Sequence, residues 1–103
     1  MEKPGYIYIL TSRRNGTLYT GVTSDLVARI WQHRNGTADG FTKQYGVTTL
    51  VHFEIFANIE DAIRREKAIK KWYRKWKLEL IERDNPNWHD LWPDITGFPL
   101  SRE

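Results

Sequence analysis

Residues 5–23 read GYIYILTSRRNGTLYTGVT, and this stretch decides the fold of the chain. Its first seven and last seven residues are rich in aromatic and β-branched side chains, and an Asn-Gly pair at 15–16 separates the two runs. Such runs favour β-strands, and the pair between them is typical of a hairpin. With an even number of loop residues, Tyr8 and Tyr19 lie on the same face, because side chains alternate along a strand.

A helix is predicted directly after the hairpin. Ser24 or Asp25 supplies its N-cap, and the helix is expected to end near Arg34, before an Asn-Gly pair. Residues 36–46 are rich in glycine and are predicted to form a loop.

A third strand is predicted over residues 47–57, followed by a long helical pattern that Asn58 caps. The helical pattern is long enough for two helices with a bend near residues 72–75. Strict alternation along the strand would place Val51, Phe53 and Ile55 on one face and Leu50, His52, Glu54 and Phe56 on the other.

The composition is that of a small globular domain. The 103 residues are 40% hydrophobic and 28% charged, which excludes a disordered protein. Cysteine is absent, which excludes disulfides, thiolate zinc sites and cysteine nucleophiles. No apolar run approaches the roughly 20 residues that span a bilayer. We therefore expect a cytoplasmic protein with one domain over residues 1–103, a motif-bearing core at about 5–83 and a proline- and tryptophan-rich tail at 84–103.

Positive charge is concentrated in one segment. Residues 64–83 carry nine basic and three acidic side chains, a net charge of +6, although the whole chain has only +3. A helix with a solvated basic face would explain this pattern, and contact with a nucleic-acid backbone is compatible with it and favoured by the charge. The tryptophans of the segment are expected to pack inward. The side chains expected to contact nucleic acid are Lys43, Arg65, Lys70, Lys71, Arg74 and Lys75.

Some side chains in the predicted helices could take part in chemistry. Glu66 lies on an inward helical face, where a carboxylate is costly unless it is engaged. An ion pair with Lys70 one turn on would explain it, and so would the binding of a hard cation such as Mg²⁺. Arg29 and His33 share a helix face, either as solvated surface or as a pair that meets a phosphate. Spacing alone favours the ordinary structural interpretation of Glu66, Arg29 and His33.

Taken in order, these residues resemble the motifs of the GIY-YIG nuclease superfamily. The first signature matches GYIY at residues 5–8, and the second matches YTG at residues 19–21. The resemblance covers roughly residues 5–83 and looks closest to the small stand-alone bacterial branch. The site residues of the superfamily match Tyr8, Tyr19, Arg29, His33 and Glu66. Each short motif is weak alone, but five matches in order at compatible spacings are specific.

The resemblance implies a fold and an activity. The fold is of the α/β (α+β) class, a small three-stranded antiparallel sheet flanked by helices, which agrees with the order of elements above. The activity is metal-dependent hydrolysis of a DNA phosphodiester, which we expect on repair or recombination structures. The implied cofactor is Mg²⁺ or Mn²⁺, and the implied partner is structured or branched DNA with weak sequence specificity.

The resemblance also implies a role for each site residue. Glu66 would hold the metal ion, Arg29 would hold a phosphate oxygen, and Tyr19 would take a proton from the attacking water. Tyr8 would position Tyr19 or the water, and His33 would orient the phosphate or relay a proton. The implied catalytic set is Tyr8, Tyr19, Arg29, His33 and Asn85, with Glu66 as the metal ligand.

The chain departs from the superfamily pattern in two places. Some relatives have a lysine just after the second signature, where this chain reads VT at residues 22–23. Relatives also carry a late asparagine, for which Asn85 is a closer match than Asn87. Three alternatives stay open: a nucleic-acid-binding module with negligible turnover, a nuclease active only with a protein partner, and a homodimer formed through the tail. DNA and RNA both suit the basic surface, and the chain is expected to be a monomer or a weak homodimer.

Overall fold

The computed structural model describes residues 3–37 and 40–97. Within them, three strands form one antiparallel sheet in the order β2-β1-β3, with bounds β1 (Gly5–Thr11), β2 (Leu18–Thr23) and β3 (Thr49–Phe56). The helices are α1 (Leu26–Arg34), α2 (Gly40–Tyr45), α3 (Ile59–Lys70), α4 (Arg74–Asp84) and α5 (Trp92–Thr96). The expected three-stranded α/β fold is confirmed. In the part of the chain described, every helix is too short or too polar to cross a membrane.

The register of the hairpin of β1 and β2 depends on the length of its loop, which the sequence left open. The loop contains the six residues 12–17, an even number, so that Tyr19 lies opposite Leu10 and Gly21 lies opposite Tyr8. Tyr8 and Tyr19 therefore lie on the same face of the sheet, the arrangement expected for an even loop.

The strict alternation expected for the third strand is wrong at Leu50 and Val51. The register with β1 pairs Ile9 with His52 but Leu10 with Leu50, so Val51 is an extra residue on β3. This is a β-bulge, which shifts all side chains on one side of it to the opposite face. Leu50 therefore joins the core around Tyr8, and Val51 joins the core on the other face.

Each face of the sheet packs against its own helices. Gly5 allows α3 to lie close to one face, since a Cβ there would be 2.7 Å from Ala62 Cβ. The core on this face consists of Ile7, Ile9, Val51, Ala62, Ile69, Leu80, Ile81 and Trp88. The core on the other face, toward α1 and α5, consists of Tyr8, Leu10, Leu26, Ile30, Val47 and Leu50.

The helix boundaries follow the capping signals. Of the two candidate caps for α1, Asp25 is the one that caps, because its side chain accepts a hydrogen bond from the Ala28 amide at 3.2 Å. Asn58 caps α3 in the same way through the Asp61 amide at 2.9 Å. The predicted division of the long pattern into two helices is confirmed, with the break at residues 71–73.

The prediction of a loop over residues 36–46 is wrong for its second half, which forms α2. The rings of Phe41 and Tyr45, one helical turn apart, pack at a centroid distance of 4.9 Å. Thr42, on another side of the helix, is buried. These side-chain contacts stabilise a helix that the local glycine content disfavours.

The tail runs along the outer edge of β3. The side-chain amide of Asn85 donates to the Val51 carbonyl at 3.1 Å, and the Leu91 amide donates to the Leu50 carbonyl at 2.8 Å. The described part of the tail also contains the short helix α5. Residues 98–103 of the predicted tail lie outside the described residues.

Candidate active site

A buried chain of hydrogen bonds joins the first signature to α1 and α2. The Tyr8 hydroxyl lies 2.9 Å from His33 Nε2, and His33 Nδ1 lies 3.0 Å from Thr42 Oγ1. All three side chains are only 1% exposed. Both ring nitrogens of His33 are thus engaged, which fixes the plane of its ring beneath the sheet surface.

Tyr19 packs beside this chain and extends it toward the surface. Its ring centroid lies 5.5 Å from that of His33 and 6.3 Å from that of Tyr8. On its other side, the Phe41 ring lies 5.9 Å away. Tyr19 is half-buried, whereas Tyr8 and His33 are buried. Tyr19 is therefore the member of the cluster that an incoming substrate would meet.

Tyr19 opens into a cleft of about 360 Å³ at the β2 edge of the sheet. We call it the tyrosine cleft. Residues from β2, α2, α3 and α4 line it: Leu18, Tyr19, Thr20, Phe41, Lys70 and Lys77. The cleft is thus lined by one phenol and two ammonium groups.

Glu66 lies beside the tyrosine cleft, behind Lys70. Its carboxylate is ion-paired with the Lys70 ammonium, and the two side chains are 9% and 51% exposed. The simple ion pair considered from the sequence is therefore present. Among the described residues, no three His, Asp or Glu side chains are grouped to hold a metal ion. The donor set still fits a hard cation such as Mg²⁺, which one carboxylate, water and substrate phosphate can hold together.

Arg29 lies on α1, one turn before His33. It is half-buried, and its Nη1 donates to Gln32 Oε1 at 3.1 Å. This bond within the helix directs the guanidinium along α1. Arg29 is therefore held on the same element that carries His33 to the tyrosine cluster.

The structure does not bring Asn85 to the tyrosine cleft. Its buried amide donates to the carbonyls of Val51 and His89, at 3.1 and 2.9 Å, and its oxygen accepts from the His89 amide at 2.9 Å. These partners lie at the β3 edge of the sheet, whereas Tyr19 lies on β2, at the opposite edge. The alternative candidate, Asn87, is exposed.

The six basic residues expected to contact nucleic acid divide into two groups. Lys43, Lys71 and Lys75 are exposed. The other three, namely Arg65, Lys70 and Arg74, have partners within the fold. The guanidinium of Arg74 donates to the carbonyls of Asn15 and Gly16, at 2.9 and 2.7 Å, and so joins α4 to the hairpin loop.

Arg65 belongs to a network that joins β3 to α3. It makes a paired contact with the Glu54 carboxylate at 2.9 and 3.1 Å, and His52 Nε2 lies 2.9 Å from the same carboxylate. Burial would raise the pKa of Glu54, but the hydrogen bonds from His52 and Arg65 outweigh it and lower the pKa from 4.5 to about 2. Glu54 is therefore held as a carboxylate at neutral pH.

Sequence reasoning missed three residues of the site. Thr42 fixes His33, Phe41 packs on Tyr19, and Lys77 lines the tyrosine cleft. The four-residue spacing of Phe41 and Tyr45 was a local signal for α2, but the glycines around it favoured a loop. Nothing local indicates the position of Lys77, because its place in the cleft depends on how α4 packs.

Comparison with known proteins shows what the chain is similar to. The GIY-YIG catalytic domain matches residues 4–79. A UPF0213 protein of Clostridium perfringens is 45% identical over 76 residues, which cover 74% of this chain and 81% of that protein. A UPF0213 protein of Staphylococcus haemolyticus is 40% identical over 77 residues, which cover 75% of this chain and 93% of that protein.

A solved structure is similar over nearly the whole length. It is the solution NMR structure of a UPF0213 protein from Bacillus halodurans, which is 28% identical in sequence. The match has a TM-score of 0.54 and covers 95% of this chain and 99% of that one. The matched region therefore includes most of the tail of this chain together with the sheet.

Proposed function

The chain belongs to the GIY-YIG family, and we propose that it is a metal-dependent endonuclease of the cytoplasm that hydrolyses phosphodiester bonds in structured or branched DNA. One observation carries this proposal. The cluster of Tyr8, His33 and Tyr19 reaches, through Tyr19, a cleft that Lys70 also lines, and Lys70 is ion-paired with Glu66. A proton acceptor and positive charge thus line one space large enough for a phosphate, and a carboxylate for a cation pairs with one of the lining lysines.

Tyr19 is the proposed general base, because it is the tyrosine that reaches the tyrosine cleft. A phenol ordinarily titrates near 10, so it needs nearby positive charge to lose its proton at neutral pH. Lys70 and Lys77, which line the same cleft, supply that charge. They take the place of the lysine that some relatives carry after the second signature.

Tyr8, His33 and Thr42 support Tyr19 from below. Their hydrogen bonds hold the His33 ring against the Tyr19 ring, so that Tyr19 has a fixed orientation when substrate arrives. The same chain gives His33 a route for a proton between Tyr8 and Thr42. Arg29, on the helix that carries His33, is proposed to hold a non-bridging phosphate oxygen as negative charge develops on it.

Glu66 is the proposed ligand of Mg²⁺ or Mn²⁺. A divalent ion bound there would stabilise negative charge on the scissile phosphate and on the leaving oxygen. The carboxylate is buried beside the cleft and already faces a cation, the Lys70 ammonium. Lys70 must then turn from Glu66 toward the phosphate when the metal ion binds.

The proposal is tested by cleavage of labelled single-stranded, duplex, flap and four-way-junction DNA with Mg²⁺, Mn²⁺ or EDTA. We expect metal-dependent cutting by the wild type. We expect Tyr19→Phe to lower the rate by about 10²–10⁴-fold, the usual contribution of a general base. Glu66→Gln should abolish the metal-dependent cleavage.

Two matched variants control for effects on the fold. Tyr45→Phe changes an exposed tyrosine of α2, and Glu60→Gln changes an exposed glutamate of α3. Both should cut at the wild-type rate, and circular dichroism should be the same for all four variants. The proposal would be refuted if the wild type bound every substrate but cut none. It would also be refuted if both Tyr19→Phe and Glu66→Gln still cut at the wild-type rate.

A further inference from the structure

Large aromatic side chains lie exposed where α3 meets α4. Tyr73 is 73% exposed and Trp76 is 47% exposed. Their rings meet edge to face at a centroid distance of 5.0 Å, and Trp72 meets Trp76 in the same manner at 6.3 Å. The sequence led us to expect inward-packed tryptophans, and for Trp76 that expectation is wrong. Exposed aromatic clusters of this kind mark interaction sites.

A groove of about 460 Å³ runs beside these rings, between α3 and α4. We call it the aromatic groove. Its walls are formed by Arg65, Trp72, Trp76, Glu79, Leu80 and Arg83. The Arg65 guanidinium lies over the Trp72 ring at 5.1 Å and is held there by Glu54. The groove therefore combines flat apolar walls with two guanidinium groups and one carboxylate.

The charge around the groove indicates which class of ligand it would bind. The rings lie within the segment 64–83, which has a net charge of +6. Exposed aromatic rings among basic side chains suit single-stranded nucleic acid, whose bases stack on the rings while its phosphates meet the cations. In a duplex the bases are already stacked on each other, so they offer no free face on which the rings could stack.

The aromatic groove lies next to the tyrosine cleft. Trp76 and Lys77 are neighbours in the first turn of α4, and the first lines the groove while the second lines the cleft. A strand whose phosphate lies against Tyr19 would therefore reach the groove by crossing the start of α4. Arg74 fixes that start to the hairpin loop.

We propose that Tyr73, Trp76 and the aromatic groove form a stacking site for unpaired nucleotides. The link between this site and cleavage rests on the proposed nuclease function. Because the site lies beside the tyrosine cleft, it would favour branched substrates whose single-stranded arm continues from the cut site. The stacking itself rests on the exposed rings and the local charge alone. Unpaired DNA and unpaired RNA share this chemistry.

Fluorescence anisotropy tests the site without cleavage, using the whole chain in EDTA. The probes are labelled 12-nucleotide oligo(dT), oligo(rU) of the same length and a 12-base-pair duplex. We expect tighter binding of both single strands than of the duplex. Trp76→Ala should weaken oligo(dT) binding by about 5- to 100-fold, the range that stacking of one base typically contributes, and leave duplex binding unchanged.

Two further variants guard against an effect on folding. Tyr73→Ser changes the more exposed ring and should also weaken oligo(dT) binding. Trp31→Ala removes a tryptophan of α1 that is 53% exposed, and it should bind as the wild type does. The inference would be overturned if the wild type bound single strand and duplex with equal affinity, or bound neither. It would also be overturned if Trp76→Ala lost as much affinity for the duplex as for oligo(dT), or if Trp31→Ala lost as much affinity for oligo(dT) as Trp76→Ala does.

The two proposals fail in different ways. Glu66→Gln should bind oligo(dT) as the wild type does even though it does not cut. If the wild type binds oligo(dT) through Trp76 but cuts nothing, the nuclease proposal fails and the stacking site stands. If it cuts but shows no preference for single strands, the stacking site fails and the nuclease stands.

Discussion

Gly21 lies opposite Tyr8, and the Tyr8 ring occupies the space that a side chain at residue 21 would need. A Cβ there would overlap with Cζ and the hydroxyl oxygen of Tyr8. The glycine of the second signature is therefore required by the tyrosine of the first. Gly5 has the same kind of role toward α3, where Ala62 packs against it. At this scale, both signature glycines serve close packing.

We expect Gly21→Ala to displace the Tyr8 ring and weaken its hydrogen bond to His33. The free energy of unfolding, measured in urea, should fall by about 1–3 kcal/mol, as overpacking of a filled core usually costs. Cleavage should fall as well, because Tyr19 loses its support. Gly40→Ala is the control, since a Cβ there meets no atom within 4 Å. An equal loss of stability in both variants would contradict this explanation.

The pairing of Lys70 with Glu66 makes a prediction about metal binding that does not depend on catalysis. In Lys70→Met the buried carboxylate loses its partner, so the melting temperature in EDTA should fall. Addition of Mn²⁺ should then raise the melting temperature more than in the wild type, because the ion no longer competes with the ammonium.

Lys67→Met, which changes an exposed lysine of the same helix, should respond to Mn²⁺ as the wild type does. Glu66→Gln should abolish the response. If Mn²⁺ raises the melting temperatures of Lys70→Met and the wild type equally, the Lys70 ammonium does not compete with the metal ion for Glu66.

At the scale of elements, the sequence predicts what depends on local signals. The hairpin follows from its strand composition and its Asn-Gly pair, and the caps Asp25 and Asn58 fix where α1 and α3 begin. The bulge at Val51 has no local signal, because it exists only relative to the register of β1. The helix α2 also depends on distant contacts, since its Thr42 is buried against His33.

The candidate site divides in the same way. The types and order of its residues are present in the sequence, and strand alternation places Tyr8 and Tyr19 on one face once the loop is known to be even. The contact of His33 with both tyrosines depends on how α1 packs against the sheet. The two lysines that line the tyrosine cleft with Tyr19 could not be predicted, because Lys70 and Lys77 come from separate helices. Their meeting depends on the angle at which α4 leaves α3.

For the whole molecule, the network around Glu54 links the sheet to the α3 layer and affects acid stability. The pKa of Glu54 is lowered to about 2 in the folded protein, below its ordinary 4.5. The network therefore stabilises the fold fully above pH 4.5, and this stabilisation is lost as the pH falls toward 2.

Glu54→Gln should lower the free energy of unfolding by about 1 kcal/mol at pH 7, a modest figure because the pair is partly exposed. The difference from the wild type should shrink between pH 4.5 and 2. Urea unfolding of both proteins across this range measures it, and Glu60→Gln is a control that should match the wild type throughout. A difference that does not vary with pH would show that the ionised carboxylate is not responsible.

The hydrogen bonds from Asn85 and Leu91 to β3 affect how copies of the protein behave toward one another. An outer strand with open backbone groups is a template on which other chains add strands and aggregate. Here the carbonyls of Leu50 and Val51 are already occupied by the tail. The tail thus leaves fewer open backbone groups on the β3 edge for edge-to-edge growth, and it does so far from the tyrosine cleft.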